Sequence, residues 1–149
     1  MHSTTQAPLS NQRGFTLIEV MVVVVILGIL AGVVVPKLLD RPEEARRTKA
    51  ILQIKSLEEA LALYKLDNGF FPTTNQGLSA LVTKPESGQI PIKYREDGYI
   101  KKIPVDPWSG SYIYLSPGLH SNYDLLSYGA DGEPGGEGKN ADVQNWEIE

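Results

Sequence analysis

Two places in this 149-residue chain carry side chains able to do chemistry: the stretch Tyr128–Asp142 and the single acid Glu19. The first combines four carboxylates, Asp131, Glu133, Glu137 and Asp142, with five glycines. Glycines let backbone carbonyls turn in beside the acids, and calcium takes about six to eight hard oxygens in flexible geometry, so the loop suits that ion. The acids do not alternate as in an EF-hand, and the plainer alternative is an acidic turn facing water. Glu19 stands near the start of an apolar run from Phe15 to Val35. Those residues as a helix reach about 31 Å, enough for a hydrocarbon core, and a charge inside it costs roughly 2.5 to 3.5 kcal/mol at worst. No basic side chain lies within the run, so Glu19 either sits solvated at the headgroup layer or needs a partner. A cut between Gly14 and Phe15 would create an α-amino group four residues away, and Glu19 would then meet the amine of a neighbouring copy.

Other chemistry is missing. The histidines are His2 and His120, there is no cysteine, and no HExxH, GxSxG or phosphate-binding glycine loop occurs, so the chain does not read as an enzyme. His120 reads as a turn residue, Trp108 and Trp146 as packing residues, and Asp106 before Pro107 as a turn. A net charge of −4 argues against nucleic acid as a partner. Without cysteine no disulfide framework staples the domain.

The elements that must position these groups form one anchor and one small domain: residues 1–14 as a leader, 15–36 as a membrane or filament-core helix, and 37–149 as a folded domain. Pro36 is expected to kink or interrupt the helix. Asp40, Pro42 and Glu43 then resemble a capped restart, giving an amphipathic helix over about residues 40–68. Its stripe, Ala50, Ile54, Leu57, Leu61 and Tyr64, should face a sheet, and Asn68-Gly69 should end it. Gly28 and Gly32 form a GxxxG pair that allows close helix approach in lipid. Residues 72–82 read as a turn and short helix, and 85–98 as a polar loop. Strands are expected at 112–115, 123–127 and 143–148, so the fold class is α+β: a long N-terminal helix on a small antiparallel sheet. Lys37, Arg41, Arg46, Arg47 and Lys49 follow the span, which by the positive-inside rule alone would put the domain in the cytoplasm.

Arg13-Gly14-Phe15-Thr16-Leu17-Ile18-Glu19 before an apolar run resembles the processing site of type IV prepilins and type II secretion pseudopilins. The resemblance continues through Tyr64-Lys65-Leu66-Asp67-Asn68, Pro72-Thr73-Thr74, Gln76-Gly77-Leu78 and Asp106-Pro107-Trp108. It extends through Tyr123-Asp124-Leu125, Ala130-Asp131-Gly132, Ala141-Asp142 and Asn145-Trp146, and is to the major pseudopilins of type II secretion. It implies cleavage between Gly14 and Phe15 by a prepilin peptidase, N-methylation of Phe15, and pairing of Glu19 with a neighbouring Phe15 amine in a helical homopolymer. It implies one bound calcium, held by Asp131, Asp142, the Tyr128 carbonyl and, less firmly, the Glu133 carbonyl. The implied partners are minor pseudopilins, the inner-membrane assembly platform with its ATPase, and the outer-membrane secretin. The implied place is the inner membrane with the domain in the periplasm, against the charge rule.

Two other readings stay open on the residues alone. One is a type IV pilin for adhesion, motility or DNA uptake; the other is an anchored calcium-binding module that never polymerises.

Overall fold

The computed structural model describes residues 14–148, and the side chains of all of these except 34–41. The leader up to Arg13 lies outside the described residues, as do the side chains of Pro36, Lys37, Asp40 and Arg41. The chain divides into two compact units, one up to Asp40 and one from Arg41 on. Helix α1 runs Leu17–Asn68, 52 residues.

In the first unit α1 exposes its apolar side chains: Leu17 is 80%, Ile18 67% and Ile29 65% exposed. Space is open around Gly28 and Gly32. Among the described residues no helix is long and apolar enough to cross a membrane. The described side chains of the run stop at Val33, about 25 Å of helix from Leu17, whereas the span read from the sequence reaches Val35.

The expected interruption at Pro36 is not found. The backbone is helical through both Pro36 and Pro42, and Asp40 is an interior helical residue instead of an N-cap. A proline removes one backbone donor, and the helix-forming runs on both sides carry the hydrogen-bond ladder past it.

The second unit is built on the C-terminal part of α1. Ala50, Ile54, Leu57, Leu61 and Tyr64, with Ala60, are buried at 3% exposure or less, as their four-and-three spacing requires. They meet Leu78, Ala80, Leu81, Tyr112, Tyr114, Leu125 and Val143 in one core. Gly69, at φ +87°, closes the helix, its N–H donating to the Lys65 carbonyl at 2.6 Å.

The sheet has three antiparallel strands in chain order: β1 (Ile113–Leu115), β2 (Asp124–Ser127) and β3 (Val143–Gln144). Tyr114 pairs with Leu125, and Ser127 with Val143. The strand expected at 143–148 stops after two residues and turns into a 3-10 helix over Asn145–Glu147. The cause is Asn145: its side-chain oxygen, not the backbone, accepts the Leu125 N–H at 2.9 Å. A side chain that takes a ladder bond leaves the main chain free to turn.

The short helix of the 72–82 stretch is a 3-10 helix, Leu78–Leu81. The polar loop after it is tied down by Gln76, which is 8% exposed and donates to the Ser87 and Gln89 carbonyls at 2.8 and 2.9 Å. Arg95 reaches back to Asp67 at 2.6 Å, and its guanidinium holds that carboxyl below the usual range.

Candidate functional site

At the N-terminus of α1, Thr16 and Glu19 satisfy each other. The Glu19 N–H donates to the Thr16 hydroxyl at 3.3 Å, and the Thr16 N–H donates to the Glu19 carboxylate at 3.4 Å. This is a capping box, which occupies two of the donors that every helix start leaves free. Glu19 is thus both the acid of the apolar run and part of the helix start. The Thr-x-x-Glu spacing carried that signal in the sequence, and the sequence reading missed it.

The 128–142 loop turns on glycine. Gly129, Gly132, Gly135, Gly136 and Gly138 all have positive φ. At Gly129, φ +68°, a Cβ would lie 2.9 Å from the carbonyls of both Asn140 and Ala141, so the two ends of the loop close on a residue without a side chain. The Ala130 N–H donates to the Lys139 carbonyl at 3.1 Å across the same closure.

Within the loop, Asp131 accepts the Glu133 N–H at 3.2 Å. Asp142 Oδ2 accepts the Gly135 N–H at 3.0 Å and the Gln144 side-chain amide at 3.2 Å. Asp142 Oδ1 is buried and has no hydrogen-bond partner. A buried carboxylate oxygen without a donor is costly, and a bound cation is one way to satisfy it. Asp131 and Tyr128 share the wall of an open groove of about 470 Å³ with Asp106 and Trp108. Among the described residues no three acidic, histidine or cysteine side chains form a metal-ligating group, and Asp142 is not among the residues that line this groove. The Glu133 and Glu137 side chains are exposed.

The remaining residues singled out in the sequence have structural partners. Asp106 is 5% exposed and fully engaged, accepting from the Trp108 and Gly110 N–H groups and the Ser127 hydroxyl. The Trp108 indole N–H donates to Glu43 at 3.1 Å, and Glu43 also pairs with Arg46. His120 pairs with Asp124 and stacks on Trp146. Arg47, which the sequence reading left as a charge after the span, donates to the Ala141 and Asp142 carbonyls at 3.5 and 3.3 Å. Nothing in its local sequence marks that contact, since the partners lie more than ninety positions away.

Residues 9–35 match the prokaryotic N-terminal methylation motif, and residues 37–146 match the family model of type II secretion system protein G. The chain is 58% identical over 139 residues to the type II secretion system core protein G of Vibrio cholerae, covering 93% of this chain and 94% of that one. It is 52% identical to the core protein G of Escherichia coli K12, covering 93% of each. Among solved structures it resembles the major pseudopilin from the type 2 secretion system of enterohaemorrhagic Escherichia coli, with TM-score 0.66 and 44% identity over 73% of this chain and 89% of that one.

A methylation motif leading an apolar helix, followed by a helix packed on a three-stranded antiparallel sheet, defines a pilin-like subunit. Within that class the chain belongs to the type II secretion system protein G family, the major pseudopilins, and its role is in type II secretion.

Proposed function

We propose that the chain is a structural subunit that polymerises into the type II secretion pseudopilus and has no catalytic role. The observation that carries this reading is α1 itself: from Leu17 to Val33 its large apolar side chains are exposed, directly after the Gly14-Phe15 processing site. Burying them beside other copies, or in lipid before assembly, removes apolar area worth about 25 cal/mol per Å² from water. Prepilin peptidase cuts between Gly14 and Phe15 and methylates Phe15. The chain then sits in the inner membrane through its apolar run, with the domain in the periplasm.

Assembly turns on Glu19. Among the described residues its carboxylate accepts from the Thr16 N–H. In a filament core the Phe15 amine of an adjacent copy supplies a full opposite charge, so correct register is the arrangement in which no acid is left unpaired. Head-to-tail contacts of this kind extend into a helical filament, and the assembly platform, its ATPase and minor pseudopilins act on that growing end.

Calcium is the proposed ligand of the 128–142 loop. The unpartnered Asp142 Oδ1, and Asp131 and Tyr128 on the wall of the nearby groove, support a reading in which Asp131, Asp142 and the Tyr128 carbonyl hold a hard cation, with the Glu133 carbonyl as a further donor. A bound ion neutralises the acids there and links occupancy to folding in a domain without disulfides.

The first test is the intact mass of the protein from its native membrane, with a fragment spectrum of its N-terminus. A chain starting at methylated Phe15 is expected. An uncut leader in cells with active prepilin peptidase would overturn the filament reading.

A further inference from the structure

Arg47 joins α1 directly to the backbone of Asp142. Its guanidinium donates to two successive carbonyls, those of Ala141 and Asp142, at 3.5 and 3.3 Å. Both carbonyls thereby accept from a side chain of the helix. The same residue, Asp142, has Oδ2 held by Gly135 and Gln144 and Oδ1 buried without a partner. The backbone and one oxygen of Asp142 are therefore fixed, and a single oxygen is left to meet a cation.

We propose that Arg47 is a positioning residue for the cation loop, through which cation occupancy is coupled to α1. The inference rests on the calcium reading above. Its sign is distinctive, because a positive charge beside a cation site opposes binding by Coulomb repulsion, so removing charge alone would tighten calcium. Removing a brace loosens it. A weakened affinity in Arg47→Ala therefore reports the brace and not the charge.

The experiment uses the full-length mature chain in detergent, titrated with calcium in chelator buffers, with amide hydrogen exchange followed over residues 43–50. Wild-type protein is measured first. Absence of calcium binding there overturns the calcium reading and this inference together, before any variant is made. Given binding, Arg47→Ala is expected to weaken calcium about three- to tenfold, the size of one hydrogen bond at an exposed site. Arg47→Lys is expected to recover part of that loss. Arg46→Ala, which removes an equal charge from a side chain paired with Glu43, is expected to leave affinity within twofold of wild type. Calcium should slow exchange over residues 43–50 in wild type and not in Arg47→Ala. Equal affinity in wild type and Arg47→Ala, or a helix response unchanged by the substitution, overturns the coupling while leaving calcium binding in place.

Discussion

The His120 ring lies flat on the Trp146 indole, 3.9 Å between ring centres and 9° between planes. The same ring meets Asp124 through Nδ1 at 2.9 Å, and Asp124, 1% exposed, also accepts the Leu119 and His120 N–H groups at 2.8 and 3.1 Å. One buried carboxylate thereby ties the turn between β1 and β2 to the 3-10 helix after β3.

Asp124 predicts an acid sensitivity. Burial alone would raise its carboxyl, but the His120 ring and the two N–H groups outweigh burial and hold it below the ordinary value. A depressed folded value means stability that is present above about pH 4, the unfolded value, and lost as pH falls through the folded one. Asp124→Asn should cost about 1 to 2 kcal/mol at pH 7, and urea titrations should show the deficit shrinking below about pH 4. A deficit that stays constant with pH would mean the charge is immaterial.

The helix stripe predicts a contrast between two leucines five positions apart. Leu61 is 0% exposed and Leu66 78%. Leu61→Ala should destabilise by about 2 to 5 kcal/mol, a large share of a small domain's total, while Leu66→Ala should stay within about 0.5 kcal/mol. Thermal unfolding of the two variants checks this.

Gly129→Ala should damage the loop from its backbone. The residue needs φ +68°, and the added carbon would meet two carbonyls at 2.9 Å. A loss of about 1 to 3 kcal/mol is expected, together with weaker calcium binding. Gly132→Ala, also at positive φ but with nothing within 4 Å, should cost less. Equal losses would show that the close approach at Gly129 does not matter.

What the sequence showed and what it hid follow from the range of the interactions. The stripe from Ala50 to Tyr64 and the Gly69 stop were legible because helical period and a C-terminal glycine are local signals. The strands at 113–115 and 124–127 were nearly right for the same reason, being apolar runs between turn residues. The end of β3 was not legible, because a side chain twenty positions from Leu125 replaces the ladder there. The break expected at Pro36 does not occur, because the helix-forming runs on both sides outweigh one residue. At the loop, residue type and spacing offered four carboxylates and left an acidic turn open, and only the resemblance to the major pseudopilins singled out Asp131 and Asp142. Gln144, which holds Asp142, and Arg47, which holds its backbone, are ordinary polar residues until the fold brings them in.

Chelation should lower the melting temperature of wild-type protein. On the calcium proposal, an ion at one hundred times its dissociation constant would stabilise by about 2.7 kcal/mol, which for a domain of this size is a shift of several degrees. Asp142→Asn should remove most of the difference between calcium and chelator. An unchanged melting temperature on chelation would count against calcium at this loop.

Glu19→Ala should separate anchoring from assembly. The apolar run becomes more apolar, so membrane insertion should persist, while filaments seen by electron microscopy of overexpressing cells should disappear. Filaments formed at wild-type levels by this variant would remove the pairing argument.

The brevity of the sheet has a consequence of its own. β1 and β3, its two borders, are three and two residues long, and Asn145 curls the chain away where β3 would otherwise continue. Exposed strand borders are templates on which other chains add, and this domain offers almost none. If the chain packs among copies of itself as proposed, it is thereby steered from stacking border to border into aggregates, and association is left to the helix.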